Sequence, residues 1–181
     1  MTRRLLAVLL AGALATAPTA LHAQFNSSFS LAGGLAAPVS DLRTNTDAGY
    51  NVAGALSFGA PLVPVGVRLE VGYNGFNAKS SLSTSGKVSI LSGTANATLA
   101  LGPTGASPYL IGGVGVYNRR LSERGFPDDT KTVGGINGGG GIRFPLGLIS
   151  TFVEARYHLM LGNKTDFTNL AYIPVTFGIN F

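Results

Sequence analysis

The chain has 181 residues, of which 45% are hydrophobic and only 12% charged, with 26 Gly and neither Cys nor Trp. One domain is the natural prior for that length, and the lack of Cys excludes a disulfide scaffold, a thiolate zinc site, a Cys nucleophile and a lipidated amino terminus. Thirteen basic against eight acidic residues give a net charge of +5. No basic stripe interleaved with aromatics accompanies it, so no nucleic-acid partner is expected.

The first segment reads as an export signal. Arg3 and Arg4 are a basic start, residues 5–15 are an apolar stretch, and Leu21-His22-Ala23 ends in the small residue that a signal peptidase prefers. Cleavage is expected after Ala23, leaving residues 24–181 as one mature domain. Taking Arg3 and Arg4 from the 13 basic residues leaves 11 against 8, a mature charge of +3.

From there the chain alternates with period two, the pattern of strands with one apolar face. Phe25, Phe29, Leu31 and Leu35 open it, and Tyr50, Val52, Leu56 and Phe58 follow after a polar loop. Val65, Val67, Leu69, Val71 and Tyr73 then oppose Arg68, Glu70 and Asn74. Leu91, Ala95, Ala97, Leu99 and Leu101 oppose Ser92, Thr94, Asn96 and Thr98. Residues 109–118 are too rich in Gly for their facing to be read. Within 132–144, Ile136, Ile142 and Phe144 share a parity opposite Asn137 and Arg143. Val153, Ala155, Tyr157 and Leu159 oppose Phe152, Glu154, Arg156 and His158. Finally Ile173, Val175, Phe177, Ile179 and Phe181 alternate with Pro174, Thr176, Gly178 and Asn180.

That makes eight strands. Pro61, Pro103 and Pro145 recur at intervals of 42 residues in short, nearly uncharged turns. The other connections, 39–48, 77–87, 119–131 and 161–169, are long and carry most of the mature charge. Even strand number, short turns at one end, long polar loops at the other and an apolar outer face are the marks of an outer-membrane barrel. A soluble sandwich also alternates. It would place many Lys and Glu on its exposed faces, where this chain has mostly Gly, Ser, Thr and Asn.

Residues 108–117 (PYLIGGVGVY), 138–144 (GGGGIRF) and 152–157 (FVEARY), with the terminal Phe181, resemble the small outer-membrane β-barrel family. This is the OmpA/OmpX-like and opacity-protein-like group of eight-stranded barrels of Gram-negative bacteria. The resemblance implies an all-β, antiparallel, up-and-down transmembrane barrel in the cell outer membrane, monomeric, without a cofactor. Phe177, Ile179 and Phe181 resemble the signal that the barrel assembly machinery reads during biogenesis. The family includes structural anchors, adhesins, resistance proteins and a few lipid-modifying enzymes, so the resemblance speaks to fold and location more than to activity.

Candidate site residues divide by position. Arg68, Glu70, Arg143, Glu154, Arg156 and His158 fall on the lumen parity, where charges of both signs should pair because an unpaired buried charge is costly. Eight strands leave an interior just wide enough for side chains. A structural plug is therefore expected, with a narrow ion path as the alternative. A lipid A-modifying enzyme is the other alternative. It would need His158 as base, with Glu154 or Glu70 orienting it and Ser89 or Ser92 across from it. At the membrane edge, Arg119, Arg120 and Arg124 suit lipopolysaccharide phosphates, and the outer loops suit an extracellular ligand. Tyr73, Tyr117, Tyr157 and Tyr172 are expected in the interfacial girdle. The Gly runs 112–115 and 138–141 lack the Lys-Ser/Thr or the following helix of a phosphate loop, and no metal-ligand spacing occurs.

Overall fold

The computed structural model describes residues 26–40, 42–43, 46–60, 63–77, 86–102, 105–123, 127–162 and 170–181. The expected export signal and Arg124 lie outside them. Eight strands follow one another, β1 (Asn26–Ser40), β2 (Gly49–Gly59), β3 (Val65–Asn77), β4 (Gly86–Ala100), β5 (Ser107–Glu123), β6 (Asp129–Leu146), β7 (Ile149–Met160) and β8 (Leu170–Asn180). Each pairs antiparallel with its chain neighbours, and β1 pairs with β8, from Ser30 opposite Asn180 to Ser40 opposite Leu170, which closes the barrel. Closure removes every sheet edge and satisfies the backbone internally, as a span through hydrocarbon requires.

Period two sets the two faces. Leu31, Leu35, Val52, Leu56, Val67, Val71, Leu91, Val114, Val116, Val153 and Phe177 stand exposed on the outside. Ser30, Asn51, Arg68, Asn74, Ser92, Thr94, Asn96, Asn137, Glu154, Arg156, His158 and Thr176 are buried inside. A sheet whose polar residues are buried and whose large apolar residues are exposed has hydrocarbon, not water, around it. The facing of β5 is resolved here. Tyr109, Ile111 and Tyr117 point in, and Leu110, Val114 and Val116 point out.

The long-loop end departs from the expected pattern. β5 and β6 continue to Glu123 and from Asp129, so most of the expected 119–131 loop is ladder. Inside this extension the lining turns apolar: Ala36, Phe76, Val88, Ile90, Tyr117, Met160 and Tyr172 form one buried cluster, capped by Leu42 from the connection after β1. Within that connection the Thr46 hydroxyl donates to the Leu42 carbonyl at 2.6 Å, and the Asp47 N–H ties it to β3 by donating to the Asn77 carbonyl at 3.0 Å. Tyr117 and Tyr172 are thus interior residues and not part of the girdle. Their phenol groups find polar partners in the lumen, which satisfies a buried hydroxyl better than hydrocarbon would. Tyr50 and Tyr157 are exposed on the outer face, and Tyr50 contacts Tyr73 at a ring separation of 6.0 Å.

Candidate functional site: the charged lumen

β3 and β7 stand on opposite walls of the eight-stranded barrel and carry the charged residues at matching heights. Alternation sends Arg68 and Glu70 of β3, and Glu154, Arg156 and His158 of β7, to the same interior. Arg68 Nη1 donates to Glu154 Oε2 at 2.8 Å, both side chains almost wholly buried. Arg156 Nε reaches Glu154 Oε1 at 2.7 Å, and its Nη2 pairs with Glu70. The result is a chain of alternating sign, Arg68, Glu154, Arg156, Glu70, in which two cations meet two anions. Such geometry offsets the desolvation of charge that burial costs.

Tyr109 completes the lattice. Its hydroxyl donates to Glu154 Oε2 at 2.6 Å, and the Arg68 guanidinium lies 5.6 Å from its ring and 5.4 Å from that of Phe152. Sequence reading missed Tyr109 because its strand is Gly-rich and shows apolar residues on both parities. The glycines of β6 explain the close fit. A Cβ at Gly139 would sit 2.1 Å from the Ala155 carbonyl oxygen and 2.7 Å from Arg156 Cα, and one at Gly141 would sit 2.7 Å from the Tyr109 hydroxyl. The space between the lattice and strands β1, β2 and β8 is a cavity of about 10 Å³.

His158 belongs to a second layer, toward the long loops. Its Nδ1 lies 3.0 Å from the Tyr117 hydroxyl and its ring stacks on Tyr172 at 4.8 Å. Asn74 Nδ2 donates to the Tyr172 hydroxyl at 3.3 Å and accepts at Oδ1 from Asn51 at 2.7 Å. The serines considered as its partners are engaged elsewhere: Ser92 donates to the Gly72 carbonyl at 3.3 Å, and Ser89 falls on the outward parity of β4 between exposed Lys87 and Leu91. The group around His158 is aromatic and amide, not a nucleophile and an acid.

Arg143 stands apart at the short-turn end, 5.5 Å from the Tyr109 ring and outside the lattice. At the opposite end Arg119 turns inward and pairs with Asp129 at 3.0 Å, while Arg120 turns outward and pairs with Asp128. Arg119 was expected at the lipid edge beside Arg120. Consecutive residues of a strand face opposite sides, so only one of the two can point outward. Phe177 and Phe181 are exposed on the outer face, with Ile179 between them partly covered.

A closed eight-stranded sheet with an apolar belt outside and paired charges within defines a transmembrane β-barrel. The chain belongs to the outer membrane protein beta-barrel domain family, whose model matches residues 6–181. Among solved structures it is similar to Neisserial surface protein A, with a TM-score of 0.59 and 18% identity over 86% of this chain and 97% of that one. It is also similar to Ail, the attachment invasion locus protein of Yersinia pestis, solved with the heparin analogue sucrose octasulfate, at 0.52 and 19% over 86% and 97%. A major outer membrane protein of Thermus thermophilus gives 0.54 and 13% over 86% and 99%. No curated protein matches the chain. The expected architecture of eight antiparallel strands in an outer-membrane barrel therefore holds.

Proposed function

We propose that this protein is an outer-membrane scaffold sealed across its lumen, which meets the cell exterior through its outer rim and long loops. The observation that carries the reading is the state of the lumen. The residual cavity beside the lattice, about 10 Å³, is at the lower limit for one water, and the apolar layer capped by Leu42 lies above it. An ion path would need a continuous wet lining, and neither layer supplies one. On this reading the mature protein starts at residue 24, folds through the barrel assembly machinery with Phe177, Ile179 and Phe181 as its terminal signal, and works as a monomer in envelope integrity or adhesion.

Lipopolysaccharide is the partner this reading favours. In outer-membrane barrels the long loops face the exterior, and the outward surface just above the apolar belt carries Lys87, Arg120 and Thr130 on adjacent strands. Planar guanidinium groups suit phosphate, and Arg120 can exchange Asp128 for it. Arg124 follows in the same connection. The test has two parts. Purified barrel in planar bilayers should give no steady conductance, and stable channels would overturn the seal. Co-purification of lipopolysaccharide should fall in a Lys87→Ala, Arg120→Ala, Arg124→Ala variant, and undiminished association would remove lipopolysaccharide as the partner.

A further inference from the structure

Among the described residues the lattice leaves the lumen cation Arg143 over. Arg68 and Arg156 are matched by Glu154 and Glu70, whereas Arg143 forms no ion pair among the described residues. It lines a cavity of about 240 Å³ at the short-turn end of the barrel, with Ser28, Ser57, Thr98 and Ser107. Two polar atoms here are buried without a hydrogen-bond partner, Arg143 Nε and Ser57 Oγ. Register explains why they share the space. Arg143 sits opposite Ser107 across β5 and β6, and Ser57 sits opposite Ser28 across β1 and β2. The Tyr109 ring separates this basin from Glu154, because its hydroxyl is spent on that carboxylate while its face meets Arg143.

We propose that this basin binds a carboxylate entering from the short-turn mouth, which in outer-membrane barrels faces the periplasm. A guanidinium is a planar fork that a carboxylate meets with two parallel hydrogen bonds, and Arg143 Nε is buried beside the basin with no partner of its own. The Ser57 hydroxyl, which has no partner, can donate to a remaining lone pair, whereas Ser107 already donates to the Gly102 carbonyl at 3.0 Å. One uncompensated positive charge matches a monoanion, whereas a phosphate dianion would carry excess negative charge into the barrel. The ligand is a small carboxylic acid or the carboxyl end of a peptide, and the two sources share this chemistry.

The experiment is an NMR titration of the full barrel, folded in detergent, with acetate, acetyl-Ala-Ala and inorganic phosphate in turn. A carboxylate should give saturable shifts of the Arg143 Nε–H and of the Ser57 and Ser107 amides, leaving Arg156 Nε–H unmoved. Arg143→Gln should weaken binding by about tenfold or more, the scale of a lost charge-assisted pair. Retention of the heat-dependent gel shift shows that the variant is folded. Should it not fold, Arg143→Lys keeps the charge, loses the fork and reads the same loss. Saturation by the peptide alone identifies a peptide end, and equal binding of acetate identifies a free acid. Absence of saturable shifts with both carboxylates, binding unchanged in both variants, or tighter binding of phosphate would each overturn the assignment.

Discussion

Arg68 and Glu154 are 86 residues apart in sequence, stand on strands four places apart in an eight-stranded barrel, and meet at 2.8 Å. With the Glu70 and Arg156 pair beside them, they brace one wall against the other across the full lumen. Neighbouring strands are joined by their ladders, but opposite walls are joined only through such side chains.

Removing one member should therefore cost far more than removing the pair. Glu154→Gln removes the negative charge that Arg68 and Arg156 share and replaces one of the two carboxylate oxygens used by Arg68, Arg156 and Tyr109 with a donor. Leaving buried charge uncompensated is expected to cost about 3–5 kcal/mol. An Arg68→Met, Glu154→Leu double variant should fall well short of the sum of its singles, and urea unfolding of folded barrel in detergent measures the coupling. Strict additivity would mean that the cross-lumen pair is incidental.

The β6 glycines give a sharper steric contrast. Gly139→Ala must push against the Ala155 carbonyl and Arg156 backbone, whereas a Cβ at Gly134 or Gly93 meets nothing within 4 Å. Overpacking of this kind costs about 1–3 kcal/mol, while Gly134→Ala and Gly93→Ala should be neutral or slightly stabilising. Equal unfolding midpoints for the three variants would contradict the fit described for β6.

The same contrasts explain how much was legible in the sequence. Alternation in Val65 to Tyr73 and in Phe152 to Leu159 exposes the lumen parity of Arg68, Glu70, Glu154 and Arg156, because hydrocarbon tolerates none of them outside. Which of them meet is not in the alternation, since contacts across the barrel depend on closure and strand stagger. Tyr109 was hidden for a different reason. In residues 109–118 both parities carry apolar side chains, and of the inward ones it is Tyr109 that serves a carboxylate and a guanidinium. Tyr117 and Tyr172 misled in the same way: above the membrane belt the lumen is lined like a soluble core, and the rule of a polar inside ends there.

At the outer rim, hydrogen bonds from Ser122 and Arg120 hold the Asp128 carboxyl below the usual carboxylate range. A carboxyl with a lowered folded-state value adds stability that is present above its unfolded value, about 3.9, and is lost as pH falls through the folded one. Carbon-detected NMR of Asp128 should show a midpoint below that of an unstructured Asp, and Ser122→Ala should move it back upward. A midpoint already at the ordinary value would show that these contacts do not persist in solution.

The apolar belt predicts a depth profile that a soluble sandwich would not give. Val114 stands at mid-height on β5, flanked by Ala95 and Ile136, while Leu101 lies just past β4, beyond the last ladder residue, Ala100. Both are exposed, so substitution breaks no core packing in either case. In a bilayer, Val114→Arg places charge near the midplane and should cost about 2–4 kcal/mol, against about 0–1 for Leu101→Arg at the interface. The measurement is unfolding in lipid vesicles with both variants side by side. Equal, small effects at the two positions would mean that water, not hydrocarbon, surrounds Val114.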